Sequence, residues 1–294
     1  MLLGKWITVW IGCFLMAGSV FGQRDDTPFG EGQALGRIDN PDINEASGLV
    51  ASAAHRGCFW THNDSGDGAR VFLIDDAARH RATYYLPGIE ANDWEDIATM
   101  ERDGAYYLLI GDVGDNRGQR PYVQLHVLKE PAASIRTPTV DTMPAGQIRS
   151  YVLRYEDGPR DAESLFVDPL DGRLYVISKR ELEVGVYSTV LPESVADTLT
   201  MRKVRVLPHT FITSAAISPD GTEVLIKSLL QVFYWKRKPG ESIAEMFGRP
   251  AQRQPYRPEP QGEAIAFASE GDGYYTLGEA VLGMPSVLYF YKRR

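Results

Sequence analysis

The sequence contains five similar segments, and this internal repeat constrains the fold more than any other feature. Each segment has a short apolar run, a tight turn and a second apolar run. The five segments are residues 45–64, 94–112, 162–179, 214–228 and 262–279. In four of them the turn is Asp-Gly, at residues 103–104, 171–172, 220–221 and 272–273. Asp-Gly favours a β-hairpin because the tight turn needs a positive φ, which glycine adopts without steric cost.

Further apolar runs follow each hairpin, so the repeated unit is longer than two strands. A third run follows all five hairpins, at residues 71–74, 123–128, 184–190, 232–235 and 287–291. A fourth follows three of them, at 83–86, 148–155 and 201–207. The first strands align at Ser47, Glu95, Glu163, Ala215 and Glu263, and the longest interval contains a Pro- and Thr-rich insertion at 137–146. A four-stranded unit about every 50 residues is typical of a β-propeller blade, so the sequence predicts an all-β, five-bladed propeller of antiparallel blades.

The predicted ring needs one more strand, because the fifth unit ends after its third run. Residues 34–40, ahead of the first repeat, have the length to supply this outer strand. An N-terminal strand in that place would close the ring and remove exposed sheet edges. A β-sandwich or jelly roll is the alternative fold, although neither requires such a repeat. One short helical turn is expected at 241–247.

The first 22 residues have the pattern of an export signal. Lys5 precedes an apolar stretch at 6–21, and small residues lead up to Gly22. This pattern favours a signal peptide cut after Gly22, which leaves residues 23–294 as a single propeller domain in the periplasm or outside the cell. Two alternatives are an uncleaved anchor and a lipoprotein modified at Cys13. The apolar stretch is shorter than the roughly 20 residues that a membrane span requires.

The charge balance limits the partners of the chain. It has 31 Lys and Arg against 39 Asp and Glu, a net charge of −8. This charge disfavours non-specific binding to nucleic acid or to an anionic membrane. We expect a monomer with no membrane span after signal cleavage, whose partner is a small anionic ligand or another protein. Cleavage leaves one cysteine, Cys58, so an internal disulfide cannot form, and its apolar neighbours predict a buried thiol.

Blade topology brings particular residues to one mouth of the central channel. The innermost strand of a blade starts there and the second strand returns there, so residues at those strand ends are expected to meet. Three are glutamates at one repeat position, Glu95, Glu163 and Glu263, and Glu45 and Ser214 are weaker oxygen donors. Carboxylates at close range repel one another, and Ca²⁺ relieves the repulsion by binding about 6–8 oxygens. We therefore predict a calcium site with these five ligands.

The same mouth carries candidate catalytic groups. Asp64 and Asp112 end second strands in loops rich in Asn, Asp and Gly, where either could orient a water molecule, although each loop is also explained as a simple turn. Lys179, Arg180 and Lys227 end second strands and are candidates to bind an anion. A metal ion that activates water, beside basic groups that stabilise phosphoryl charge, suits the hydrolysis of a phosphoester.

Purely structural roles are the alternative for these residues. The glutamates could accept hydrogen bonds from backbone N–H groups at strand starts, or pair with Lys179 and Lys227. The protein would then be a non-catalytic propeller that binds a ligand or another protein. Other catalytic templates fail, because the sequence has no G-x-S-x-G elbow, P-loop or dinucleotide fingerprint.

The mouth residues carry a resemblance to known propellers. The set of Glu45, Glu95, Glu163, Ser214 and Glu263 resembles the central calcium site of the five-bladed calcium-activated nucleotidase (apyrase) family, which implies hydrolysis of nucleoside di- and triphosphates. Residues 45–49 and 161–165 are similar to phytase-like and gluconolactonase-like secreted propellers, which implies calcium-dependent ester or phosphoester hydrolysis. Residues 217–221 resemble generic propeller repeats that only bind partners. The leading hypothesis is an exported, calcium-dependent phosphoester hydrolase.

Overall fold

The computed structural model describes residues 27–133, 135–195 and 197–294. The predicted signal peptide, residues 1–22, lies outside the described residues. The strands of the first third are β1 (Gln33–Arg37), β2 (Ala46–Ala51), β3 (Cys58–Asn63), β4 (Arg70–Asp75), β5 (His80–Tyr85), β6 (Trp94–Arg102) and β7 (Ala105–Asp112). Those of the middle third are β8 (Val123–Lys129), β9 (Thr139–Thr142), β10 (Ile148–Tyr155), β11 (Ala162–Val167), β12 (Arg173–Ser178), β13 (Val184–Val190) and β14 (Leu199–Leu207). Those of the last third are β15 (Ile212–Ile217), β16 (Glu223–Ser228), β17 (Val232–Lys236), β18 (Gln252–Gln254), β19 (Gly262–Phe267), β20 (Gly273–Gly278) and β21 (Val287–Lys292).

These strands form four sheets. The first has the order β2-β3-β4-β5-β9, the second is β15-β16-β17-β18, and the third is β19-β20-β21-β1. The fourth has eight strands, because β6-β7-β8-β10 and β11-β12-β13-β14 are joined by a parallel pairing of β10 with β14. The predicted insertion at 137–146 contributes β9, which runs parallel to β5 as an extra strand of the first sheet.

The innermost strands pack against one another in a closed cycle. In order around this cycle, β2 contacts β6, β6 contacts β11, β11 contacts β15, β15 contacts β19, and β19 contacts β2. Each of these strands begins a run of antiparallel strands that leads away from the centre. The prediction of an all-β, propeller-like fold is therefore confirmed.

The hydrophobic core lies between neighbouring strand runs. Among the described residues it divides into five clusters, and each cluster joins two adjacent runs. One of them contains both Trp60 of β3 and Trp94 of β6, and both side chains are fully buried. Burying one large apolar side chain contributes about 1.5–3 kcal/mol, so these clusters supply much of the stability of the fold. Cys58 lies in the same cluster as a buried free thiol, as predicted.

Short elements follow local sequence signals. The helix α1 (Ile243–Met246) begins after Ser242, whose hydroxyl accepts from the Glu245 N–H while the Glu245 carboxylate accepts from the Ser242 N–H. This capping box confirms the predicted helical turn at 241–247. The strand β18 has only three residues and ends immediately before Pro255, because proline cannot donate to the sheet.

A one-residue bulge near the start of every innermost strand controls what faces the mouth. Pairing skips one residue in each, and the extra residues are Gly48, Glu95, Glu163, Thr213 and Glu263. Bulges redirect a side chain away from the regular alternation of a strand. The three glutamates thus share one structural position, as the sequence predicted. The alignment of Ser47 and Ala215 with them was wrong, by one residue and by two residues, because Gly48 and Thr213 occupy that position.

Candidate cation-binding site

Seven carboxylates, here termed the mouth cluster, converge at the ends of the innermost hairpins. They form three groups, and in each group one oxygen per residue lies within 4.8 Å of the others. The groups are Asp64/Asp93/Glu95, Asp64/Glu263/Glu279 and Glu95/Asp161/Glu163. Asp64 and Glu95 each belong to two groups, so the cluster is continuous. Its members begin innermost strands or follow second strands, which is the placement that blade topology predicted.

Basic side chains neutralise only part of the mouth cluster. Lys179 forms an ion pair with Glu163, and Arg180 forms one with Asp161. Among the described residues, no Lys or Arg forms an ion pair with the remaining five carboxylates. Those five are Asp64, Asp93, Glu95, Glu263 and Glu279. Excess negative charge therefore collects around Asp64, which two of the three groups share.

Burial of these carboxylates raises their affinity for protons. Desolvation, with further contributions from Asp64 and Asp93, holds the pKa of the Glu95 carboxyl well above its usual range. Desolvation raises the pKa of Asp93 to about 6. The pKa of Glu279 rises to about 8, through burial and then through the neighbouring Glu263. A raised carboxyl pKa means that the ionised form is disfavoured in that environment, and a nearby cation would favour it again.

Within the mouth cluster, two buried carboxylate oxygens have no hydrogen-bond donor among the described residues. They are Oε2 of Glu163 and Oε2 of Glu263, and both side chains are more than nine-tenths buried. A buried carboxylate oxygen without a partner is costly, because it loses the water that solvated it in the unfolded chain. A bound metal ion would supply the missing partner.

Three of the five predicted ligands lie in the mouth cluster. Glu95, Glu163 and Glu263 do, whereas the exposed Glu45 belongs to none of the three groups. The Ser214 hydroxyl instead donates to the Asp96 carboxylate at 3.2 Å. The sequence did not assign Asp93, Asp161 or Glu279 as ligands. Their position in the repeat could have identified them, since each of these three residues lies at an end of a first or second strand.

The predicted catalytic aspartates differ in their contacts. Both oxygens of Asp112 are occupied, one by the Arg120 guanidinium at 2.7 Å and the other by the Asn92 side chain at 2.9 Å. Asp112 is also fully buried, so it is poorly placed to orient a water molecule. Asp64 is half-buried and lies inside the mouth cluster.

The predicted anion-binding residues are mostly engaged within the protein. Lys227 is fully buried, and its ammonium donates to the Gly262 carbonyl and lies 4.8 Å from the centre of the Tyr256 ring. Burial lowers its pKa to about 8, although Glu259 and Glu263 oppose that shift. Lys179 is paired with Glu163. Arg180 is the most exposed of the three, and it contacts both Asp161 and Asn116.

Gly114 lets the loop after β7 approach the mouth cluster. A Cβ at this position would lie 2.2 Å from Glu95 Oε1 and 2.5 Å from the Asp93 carboxyl carbon. Such distances are far inside van der Waals contact. The glycine therefore allows the backbone to pass beside two carboxylates of one group.

Comparisons with known proteins give only a distant structural likeness. No family model and no curated protein matches the sequence. The solved structures similar to this chain include the crystal structure of RRP9 WD40 repeats, with a TM-score of 0.44 and 10% sequence identity over 84% of this chain and 79% of that one. The resemblance to calcium-activated nucleotidases and phytase-like propellers gains no support from these comparisons. In the described part of the chain, no helix has the length and hydrophobicity to cross a membrane.

Proposed function

We propose that this protein is an exported five-bladed propeller that binds a divalent cation, with Ca²⁺ as the expected ion, and hydrolyses a phosphoester or related small anionic substrate. One observation carries the proposal. Five carboxylates of the mouth cluster converge without a Lys or Arg ion pair among the described residues, and one of them has a buried oxygen without a donor.

The five-blade count is supported by the strand pairing. Five runs of antiparallel strands start from the closed cycle of innermost strands. In the run that starts at β19, the outermost strand is β1, which pairs antiparallel with β21. An N-terminal strand in that position would close the ring between the first and last blades. Export is supported by the charge and hydrophobicity pattern of residues 1–22.

The first cation would bind in the group of Asp64, Asp93 and Glu95. All three donors are carboxylate oxygens, which suit hard ions such as Ca²⁺, Mg²⁺ and Mn²⁺, and Ca²⁺ tolerates irregular geometry best. The ion would offset the desolvation and the carboxylate repulsion that raise the pKa values of Asp93 and Glu95. Of the ligands that the sequence predicted, this group contains Glu95.

The hydrolytic role assigns different tasks to the residues near this group. When bound, a divalent cation polarises a phosphoryl oxygen and lowers the pKa of a coordinated water. Asp64, a half-buried member of the group, would hold that water in place. Arg180 has nearly half of its side chain exposed and would contact the anionic group of the substrate. Lys179 would offset developing negative charge from its position beside Glu163.

A non-catalytic binding propeller is the second candidate. One observation favours it, because Lys179 and Arg180 are both paired with carboxylates of the mouth cluster, which makes them less available to bind an anion. In that case the cation would only stabilise the ring or present a docking point for a partner.

Thermal unfolding of residues 23–294 in EDTA and then in excess Ca²⁺ tests the cation site. A ligand that binds only the folded state at 100 times its Kd adds about 2.7 kcal/mol of stability. We expect a clear rise in Tm for the wild type, a much smaller rise for Glu95→Gln, and a wild-type response for Glu101→Gln on the same strand. No rise in the wild type would remove the cation site and the hydrolytic mechanism together.

A phosphoester panel then separates the two candidates. Turnover that is lost in EDTA and in Glu95→Gln supports the hydrolase. A Ca²⁺-stabilised wild type that hydrolyses none of the phosphoesters supports the binding propeller.

A further inference from the structure

We propose that the mouth cluster binds a second divalent cation, held by Asp64, Glu263 and Glu279, with Asp64 bridging the two ions. This inference rests on the proposed function, which requires only the first ion at Asp64, Asp93 and Glu95. It assigns Glu279 as a metal ligand and makes the centre dinuclear.

The geometry already separates two binding groups around one shared residue. Asp64 follows β3, and its carboxylate lies within 4.8 Å of one oxygen each from Glu263 and Glu279, as well as of Asp93 and Glu95. Glu263 is the bulged residue of β19, and Glu279 follows β20. The second group therefore draws on a different hairpin from the first. A carboxylate has two oxygens, so Asp64 can serve one ion with each; its Oδ1 also accepts a hydrogen bond from the Ser65 N–H.

A second observation at this group points independently to a ligand. Glu263 is 8% exposed, and its buried Oε2 has no hydrogen-bond donor. The carboxyl groups of Glu263 and Glu279 are close enough to hydrogen-bond to each other, which two ionised carboxylates cannot do. A cation between them would replace the shared proton and would also provide a partner for Oε2.

The nearby basic groups do not provide a partner for the carboxylates of Glu263 and Glu279. The Lys227 ammonium donates to the Gly262 carbonyl, and Lys179 pairs with Glu163. The remaining group, Glu95/Asp161/Glu163, differs because two of its three carboxylates already have basic partners. The charge pattern thus predicts two cations in the mouth cluster and not three.

A carboxylate-bridged pair of cations suits the proposed substrate class. Two ions about 4 Å apart can stabilise both the attacking and the leaving oxygen of an in-line displacement at phosphorus. In hydrolysis a water oxygen bonds to phosphorus, the ester P–O bond breaks, and the proton from water leaves with the alcohol or passes to solvent. Asp64 would hold the two ions at a fixed separation on opposite sides of this reaction.

The experiment counts bound ions on the full mature chain. Equilibrium dialysis with Ca²⁺ measures stoichiometry, and Mn²⁺ binding followed by electron paramagnetic resonance reports whether two ions are magnetically coupled. We expect two Ca²⁺ per chain in the wild type and a coupled Mn²⁺ signal at two equivalents. Glu279→Gln should bind one ion and give an uncoupled signal, and Asp93→Asn should also bind one. The matched control Glu101→Gln should keep both ions.

Each outcome has a distinct meaning. One Ca²⁺ in the wild type overturns the second site and leaves the proposed function intact, whereas no bound Ca²⁺ overturns the proposed function itself. Two ions retained in Glu279→Gln would place the second ion elsewhere and so overturn the assignment. If Glu279→Gln fails to fold, Glu263→Gln serves the same purpose, and the wild-type stoichiometry decides between one ion and two without any variant.

Discussion

The carboxylate of Asp96 on β6 accepts a hydrogen bond from the backbone N–H of Leu165 on β11 at 3.0 Å. The same carboxylate accepts from the N–H of Ala215 and the hydroxyl of Ser214, both on β15. Asp96 is completely buried, and burial holds its pKa well above the usual range despite these hydrogen bonds. One side chain, adjacent to Glu95 in sequence, thus fastens three innermost strands together beside the mouth cluster.

Replacing Asp96 is expected to destabilise the fold strongly. Asp96→Ala would leave the N–H groups of Leu165 and Ala215 and the hydroxyl of Ser214 without an acceptor, and each buried orphan costs about 1–3 kcal/mol. We expect the free energy of unfolding in denaturant to fall by about 3 kcal/mol or more. Asp272→Asn, at an exposed hairpin turn, should change it by less than about 0.5 kcal/mol. A loss below about 1 kcal/mol in Asp96→Ala would contradict this role.

The features that the sequence predicted well depend on local patterns. Asp-Gly turns between apolar runs indicate hairpins, and their spacing indicates a repeated sheet, so the propeller-like fold could be predicted from the sequence. The bulges could not be predicted, because one extra residue leaves the apolar pattern of a short strand almost unchanged. This is why Ser214, which follows the bulged Thr213, was assigned to the mouth although its hydroxyl bonds to Asp96.

The charge arrangement of the site was only partly predictable. The leading hypothesis gave Glu163 and Lys179 separate tasks at the same mouth, and pairing of the glutamates with Lys179 was the structural alternative; the structure pairs Glu163 with Lys179. It likewise treated Asp112 as free, although Arg120, eight residues further along, occupies it. Pairings of this kind depend on which side chains reach each other across a loop or between strands. Residue type and spacing do not encode that distance.

Removing Lys179 should increase the dependence of the fold on a cation. Lys179→Met takes away the basic partner of Glu163 and a positive charge that lowers the pKa values of Glu95 and Glu263. Breaking a buried pair by removing one partner costs about 3–5 kcal/mol, so Tm in EDTA should fall sharply. Excess Ca²⁺ should recover more stability in the variant than it adds to the wild type.

Lys203→Met is the matched control for that variant. Lys203 also pairs with an aspartate, Asp157, but both side chains are about one-third exposed. Its removal should cost less than about 1 kcal/mol and leave the response to Ca²⁺ unchanged. A Ca²⁺ response in Lys179→Met that is equal to or smaller than that of the wild type would count against the cation site.

The raised pKa values of the mouth-cluster carboxylates should lower the stability of the cation-free protein as pH rises from about 4 to 8. The pKa of Asp93 is raised from 3.8 to about 6 and that of Glu279 from 4.5 to about 8. Between the unfolded and folded values, the folded state binds more protons than the unfolded state, so raising the pH favours unfolding. Buried histidines such as His126, whose pKa burial lowers to about 4, give the opposite slope below about pH 7, so the comparison is made above it: we expect Tm in EDTA to be higher at pH 7 than at pH 8, as followed by circular dichroism.

Bound Ca²⁺ should weaken or reverse this trend, because the ion requires ionised carboxylates and binds more tightly as protons leave. Glu279→Gln should flatten the EDTA profile between pH 7 and pH 8, because Glu279, whose pKa is raised to about 8, still titrates there. A wild-type Tm in EDTA that rises from pH 7 to pH 8 would show that the buried carboxylates are already compensated.

Gly114→Ala should disrupt the first cation group without removing any ligand. The added methyl would lie 2.2 Å from Glu95 Oε1 and 2.5 Å from the Asp93 carboxyl carbon, so either the loop or the two carboxylates must move. Displacing two of the three ligand carboxylates weakens their coordination of an ion, and we expect at least a tenfold weaker Ca²⁺ affinity by isothermal titration calorimetry. Gly146→Ala is the control, since a Cβ there meets nothing within 4 Å. Unchanged affinity in Gly114→Ala would mean that the ion does not bind beside Glu95 and Asp93.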